Sequence, residues 1–447
     1  MKRNLLFLLT ISLSMVTQIA ILSCNKDNDM EPNDGNSIIN GGDSNQQDQE
    51  IVVTVDANGN ACEGHSFMRI DDTNFYIDDL KYTASDGNLI VSGYDPVFFT
   101  GTAKIISKLI YNGRTINVIS IGNEAFKNCT IITSALIGKG VAKIGHSAFS
   151  GCIGLTSITM LESVKSIGNN SFAGCTGLKS LTIPNSVTNI GYNAFEGCSG
   201  IESISIPNSV ISIGDKAFLD CSRLISVSIG DGVTEIGNLA FSGCYSLKSI
   251  SLGKSLASIG YDVFNNCNYL ESIVVTNGNT KYDSRENCNA IIETASNTLI
   301  LGFKNTTIPN GVITIGEKAF YNCRGLTFIA IPNSVTSIGK YAFYGCTALT
   351  SVNIPDGVTS INANAFDACN KITTVYIGNG VSFIDLSAFL GCSNLSDIYC
   401  YATTPPLHVY STKYWSKIGT VTLHVPEESL DAYNKFPWEL FRKIVAI

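Results

Sequence analysis

Short runs of alternating apolar and polar residues, each ended by turn-forming residues, recur along most of this chain. The stretch "LKSLTIPNSVTNIGYNAFEGC" over residues 178–198 shows one unit. Its first six residues suit a strand with Leu181 and Ile183 on one face. Pro184, Asn185 and Ser186 end that run, and other units use Gly-Asp-Gly, Pro-Asp-Gly or Gly-Asn-Gly at the same place, all turn chemistry. "VTNI" over residues 187–190 predicts a second, shorter strand closed by Gly191. The closing site is Gly in most units but Asn362 and Asp385 in the last two. These are the residue types that best tolerate the left-handed region, so the pattern predicts positive φ there. "YNAFEGC" then reads as a tight helical turn carrying Phe195 and Cys198 inward.

The unit repeats. Cysteines stand at Cys129, Cys152, Cys175, Cys198, Cys221, Cys244 and Cys267, then at Cys323, Cys346, Cys369 and Cys392. Within each block the step is 23 residues, and a Phe sits three residues before every one of these cysteines, from Phe126 to Phe389. A fixed period of this length predicts a solenoid. Burying the six large apolar side chains of one coil falls short of the entropy lost by ordering its backbone, so coils fold only by stacking. Equivalent residues then lie about 4.8 Å apart, the spacing of paired strands.

That geometry decides what the cysteine file is. Zinc wants four converging ligands, often as paired Cys-x-x-Cys, and a linear file of one thiol per coil supplies neither. Parallel Cβ vectors suit a disulfide poorly. A nucleophile needs a base beside it, but His65, His146, His408 and His424 do not recur with the repeat. The file therefore reads as small buried core residues. No metal, cofactor or catalytic residue is indicated. "DANGN" at residues 56–60 has its glycine at the fourth position and lacks the distal glutamate of a calcium loop. The pairs Asp71–Asp72 and Asp78–Asp79 read as solvent-facing.

Composition narrows the function classes. At 45% hydrophobic and 15% charged the chain is not disordered overall, and a net charge of −8 argues against nucleic acid. The N-terminus differs from the rest. Lys2 and Arg3 precede an apolar run that ends in "ILSC" at residues 21–24. This resembles the lipobox of bacterial lipoproteins, which implies cleavage before Cys24 and lipidation of that residue. Residues 25–50 are rich in Asn, Asp, Gly and Gln and read as a flexible tether reaching roughly 25–30 Å.

The phrase "LxSxxIPNSVTSIGxxAFxGC" resembles the BspA-type leucine-rich repeats common in surface proteins of Bacteroidetes, and the resemblance covers residues 118–400. It implies a leucine-rich repeat solenoid with short parallel strands, tight helical turns and a cap at each end. It also implies a non-enzymatic binding role toward host matrix proteins or other bacteria, and no catalytic residue comes with it. The chain then divides into a signal peptide (1–23), lipidated Cys24 with its tether (24–50), a β-rich N-terminal cap (51–117), repeats (118–273), an irregular insert (274–310), repeats (311–400) and a C-terminal cap (401–447). In the N-terminal cap, residues 74–94 read as a hairpin turning at residues 85–88. The insert, where the cysteine step is 56 instead of 23, reads as a long coil with its own hairpin. Cys62, Cys288 and Cys400 fall outside the ladder.

Candidate binding residues come from the outward strand positions. One column runs through Ser157, Ser180, Ser203, Ser226, Ser249 and Ser272; a second runs through Thr159, Thr182, Ser205, Ser228 and Ser251. Beyond the insert Phe328, Tyr376, Tyr399 and Tyr401 break this hydroxyl surface with rings. Exposed aromatics on a rigid sheet suit a protein or glycan ligand. The expected protein is an exported, lipid-anchored adhesion or recognition protein. The alternatives left open are a glycan-binding accessory of polysaccharide uptake and a structural envelope spacer. The membrane enters only through the anchor.

Overall fold

The computed structural model describes residues 50–62, 64–409, 418–435 and 437–447. The signal peptide, Cys24 and the tether up to residue 49 lie outside the described residues. Most coils run through three hydrogen-bonded sides. The long strands form parallel ribbons, with Ser203–Ile206, Ser226–Ile229 and Ser249–Leu252 paired in steps of 23 residues. A second ribbon of two-residue strands pairs Asn189–Ile190, Ser212–Ile213, Glu235–Ile236 and Ser258–Ile259 in the same steps. Residues 178–183 keep Leu181 and Ile183 buried as the alternation predicts, but form no strand.

The third side, the Ala-Phe turn, is helical only in the last coil, where Leu386–Phe389 form a 3-10 helix. Asn193 (φ 53) and Gly197 (φ 67) flank Phe195 in the left-handed region, and the same two offsets recur through most coils. This sign alternation points every second N–H at the next coil: Phe172 donates to the Ala194 carbonyl and Phe195 to that of Ala217, both at 2.8 Å. The turn side thus continues the ladder. The expected positive φ at the closing glycine is overturned, since Gly191 does not adopt it and Asp385 sits at φ −76. Close approach explains that glycine instead. A Cβ on Gly191 would lie 2.6 Å from the Asn169 side chain and 2.7 Å from the Gly168 carbonyl carbon, closer than non-bonded atoms pack.

Inside, the rings of Phe126 through Phe264 stack with centroids 5.0–5.8 Å apart, and those of Phe320 through Phe389 at 4.8–5.4 Å. The insert separates two hydrophobic cores. One ends at Val275, Tyr282, Ile291 and Phe303, and the other begins at Cys288, Ala290 and Ile292. Ala290–Glu293 and Thr298–Gly302 form the antiparallel hairpin expected in the insert. At the N-terminal end, Leu80–Ser85 and Asn88–Tyr94 form the expected hairpin, preceded by Asn74–Ile77 as a further antiparallel strand. Asn88–Tyr94 also pairs with Arg114–Ile121, and the Tyr94 ring stacks on Phe126 at 5.9 Å. At the other end Thr422–Val425 and Lys443–Ala446 extend the long ribbon in parallel beyond Asp397–Cys400.

Candidate functional site

Two repeated features could carry chemistry, the thiol file and the outward strand face. The file is internal. Ten of its eleven cysteines are buried, Cys323 is half-buried, and all are free thiols. They are more than small apolar residues. From Cys152 to Cys267, and again from Cys346 to Cys392, each thiol donates to the carbonyl of the Phe one coil earlier: Cys152 to Phe126 at 2.9 Å, Cys392 to Phe366 at 3.2 Å. That carbonyl also accepts the N–H of its own coil's cysteine, Cys129 to Phe126 at 3.0 Å. Both lone pairs of a buried oxygen are thereby used. Alanine or valine would pack there without donating, so the presence of cysteine in all eleven coils was the available signal. Burial pushes the Cys244 thiol up to about 12, and the Cys323 thiol likewise. At neutral pH these groups are protonated donors rather than thiolates. Among the described residues no group of three His, Cys, Asp or Glu is arranged to hold a metal ion.

On the outward face the rings fall into a line. Strands Thr374–Ile377, Asp397–Cys400 and Thr422–Val425 bring Tyr376, Tyr399 and His424 into direct register. Tyr376 and Tyr399 stack with centroids 5.1 Å apart, and Tyr399 and His424 at 4.1 Å. Asp397, one position over, anchors the end of the stack with its Oδ1 2.9 Å from His424 Nε2. The hydrogen bonds from His424 and Ser396 hold the Asp397 carboxyl below the usual aspartate range. Tyr376 is 37% exposed, Tyr399 half-buried and Tyr401 42% exposed. Phe328, at 68% exposure, is covered by neither the insert nor the C-terminal segment.

The structure therefore joins Tyr376 and Tyr399 and adds His424 and Asp397. It leaves Phe328 in the neighbouring column two coils earlier, and Tyr401 outside the stack. His424 was hidden because it follows Tyr399 by 25 residues, not 23. Elsewhere, the Asp56 carboxylate is satisfied by the N–H groups of Asn58 and Asn60, which closes that loop on itself. Asp71 accepts from Thr73 and Asn74, and those bonds lower its carboxyl to about 2.

The repeat can now be placed among known proteins. The description "BspA type Leucine rich repeat region" matches six copies over residues 112–204, 189–299 and 299–417. This chain belongs to the BspA-type leucine-rich repeat family. A leucine-rich cell surface protein from Faecalibacterium prausnitzii A2-165 is 26% identical with a TM-score of 0.56, over 76% of this chain and 96% of that one. The pneumococcal vaccine antigen PcpA shares the fold at 18% identity and a TM-score of 0.55, over 86% of this chain and 98% of that one. No curated protein matches the sequence. Leucine-rich repeat proteins of this kind are generally non-enzymatic and bind other molecules.

Proposed function

We propose that this BspA-type repeat protein is an adhesion or recognition protein whose C-terminal strand face binds a protein on a host or microbial surface. The observation that carries this reading is the Tyr376–Tyr399–His424 stack on a parallel ribbon, with Phe328 exposed two coils earlier on a segment that forms no strand. Rings already held by their neighbours offer large contact area with little side-chain entropy left to lose. Hot spots are enriched in such residues. The preceding repeats offer serine and threonine at the same positions, a surface with little to grip.

In this reading Cys24 carries the lipid that holds the chain at the outer membrane, residues 25–50 are its tether, and residues 51–117 and 401–447 close the two ends. The similarity to a cell surface protein supports display outside the cell. Protease treatment of intact cells should then remove the repeats.

The binding test applies the chain to a panel of matrix proteins and glycans beside a Phe328→Ala/Tyr376→Ala variant. A protein hit lost in the variant supports the proposal. A glycan hit lost in the variant moves the same face to sugar recognition. Silence across the panel favours an envelope spacer.

A further inference from the structure

A second binding site, independent of the strand face, follows from where the turn ladder breaks. In the coil ending at Cys244, Leu239, Phe241 and Gly243 donate their N–H groups to the carbonyls of Tyr261, Val263 and Asn265, at 3.0, 3.0 and 2.9 Å. The next coil presents the same three groups, on Asp262, Phe264 and Asn266. It keeps the ladder conformation, with φ 53 at Asp262 and 61 at Asn266. No further Ala-Phe turn follows, because the chain enters the insert. Among the described residues nothing accepts from these three N–H groups.

The facing wall is the complement. In the coil ending at Cys323, the carbonyls of Glu317, Ala319 and Tyr321 hold the positions that accept from a preceding coil. Only Ala319 is engaged, by the N–H of Gly302 at 2.8 Å. Between the walls lies a cleft of about 350 Å³ that all six of these residues line, a size that accepts small ligands. The Phe303 ring already covers Phe264, edge-on at 6.4 Å. The interior is thus filled, and what stays open is the backbone rail with its outer side-chain positions. Lys318 and Asp262 pair across the cleft at 3.6 Å.

An open rail is not an unavoidable consequence of ending a stack. The last turn of the second block closes on itself as a 3-10 helix, Leu386–Phe389, in which the Asp385 side chain accepts from the Ser387 N–H at 2.9 Å. The internal break has no such closure.

We propose that this cleft binds an extended peptide from another protein as a guest coil. The guest's carbonyls take the N–H groups of Asp262, Phe264 and Asn266, while Gly302 keeps its place at the Ala319 carbonyl. A peptide backbone carries acceptors on one edge and donors on the other at alternate-residue spacing, and sugar hydroxyls have no such period. The residue opposite Phe264 must be small, since alanine fills that place where Phe172 meets Ala194 and Phe195 meets Ala217.

The probe is a synthetic peptide copying residues 237–243, "GNLAFSG", with alanine in place of its phenylalanine because Phe303 holds the ring position. Residue-resolved amide exchange on the full chain should show at least tenfold slower exchange at Asp262, Phe264 and Asn266 when the peptide saturates. The Tyr376→Ala variant should bind the probe as the parent does, which keeps this result separate from the strand face. Unchanged exchange at millimolar peptide, or protection of the same amides by a neutral oligosaccharide, would overturn the assignment.

Discussion

From Phe126 to Phe264 ring follows ring beneath an outer face of serine and threonine, whereas from Phe320 to Phe389 the same stack lies beneath Phe328, Tyr376 and Tyr399. The comparison separates two demands on one 23-residue phrase. Inward positions are fixed by what a neighbouring coil can receive: a flat ring, a thiol that reaches a carbonyl, a glycine where two backbones nearly touch. Outward positions are fixed by nothing inside the stack. They differ between the blocks, so they can carry recognition at little cost to folding.

The largest expected effect that sharpens this comparison is alkaline. Burial raises the folded-state pKa of Cys152, Cys221, Cys244 and Cys267 in the first block and of Cys323 and Cys392 in the second, while Cys175 and Cys346 are raised first by the hydrogen bond with the thiol of the next coil and then by burial. Because the folded pKa lies above the unfolded value, their stabilisation is whole below about pH 9. It is lost as pH climbs through 9 toward 12, by about 1.4 kcal/mol per pH unit for a fully buried thiol such as Cys244. Burial raises Cys288 and Cys400 as well, so each core holds five such groups, and amide protection in the two blocks should fall with similar steepness as pH rises. A fall confined to one block would show that the buried thiols do not set the loss.

Next in size is the ring stack. Phe195→Ala and Phe366→Ala should each cost about 3–5 kcal/mol, the range for emptying a buried aromatic site. The two losses should match, since both rings are fully buried between two others. With separate cores on either side of the insert, each variant should lose exchange protection mainly in its own block. A smaller loss, about 1–3 kcal/mol of overpacking, is expected for Gly214→Ala, whose new Cβ would lie 2.7 Å from the Gly191 carbonyl carbon. Thermal unfolding measures it. No change would mean that the glycine file is dispensable.

The period, the Phe and Cys files and the ring-bearing outer positions were legible because each repeats, and a repeat averages local ambiguity away. What stayed hidden depends on relations between coils. The left-handed residues beside Phe195 include Asn, Lys, Asp and Leu in other coils, a mixture that no propensity marks. Their φ aims alternate N–H groups at the next coil, and the nearly invariant glycine drew the inference to the wrong site. His424 enters the aromatic line after a register change that no fixed period anticipates. The cleft exists only because two non-adjacent coils face each other across the insert.

The smallest expected effect is the most direct test of surface independence. Ser228 and Ser251 are register partners on neighbouring strands of the first block, in the column that carries Tyr376 and Tyr399 in the second. Ser228→Tyr/Ser251→Tyr should change thermal stability by no more than about 0.5 kcal/mol per site, as surface substitutions do, with any gain coming from the new ring pair. The mirror change, Phe328→Ser/Tyr376→Ser, should be as mild. If grafted rings at this spacing also let the first block hold the ligand of the second, the stack itself is sufficient for recognition. If the graft folds and does not bind, Asp397 and His424 supply what the rings lack. A loss of several kcal/mol in either exchange would show that the outer face is coupled to the stack, and the separation of the two demands would fail.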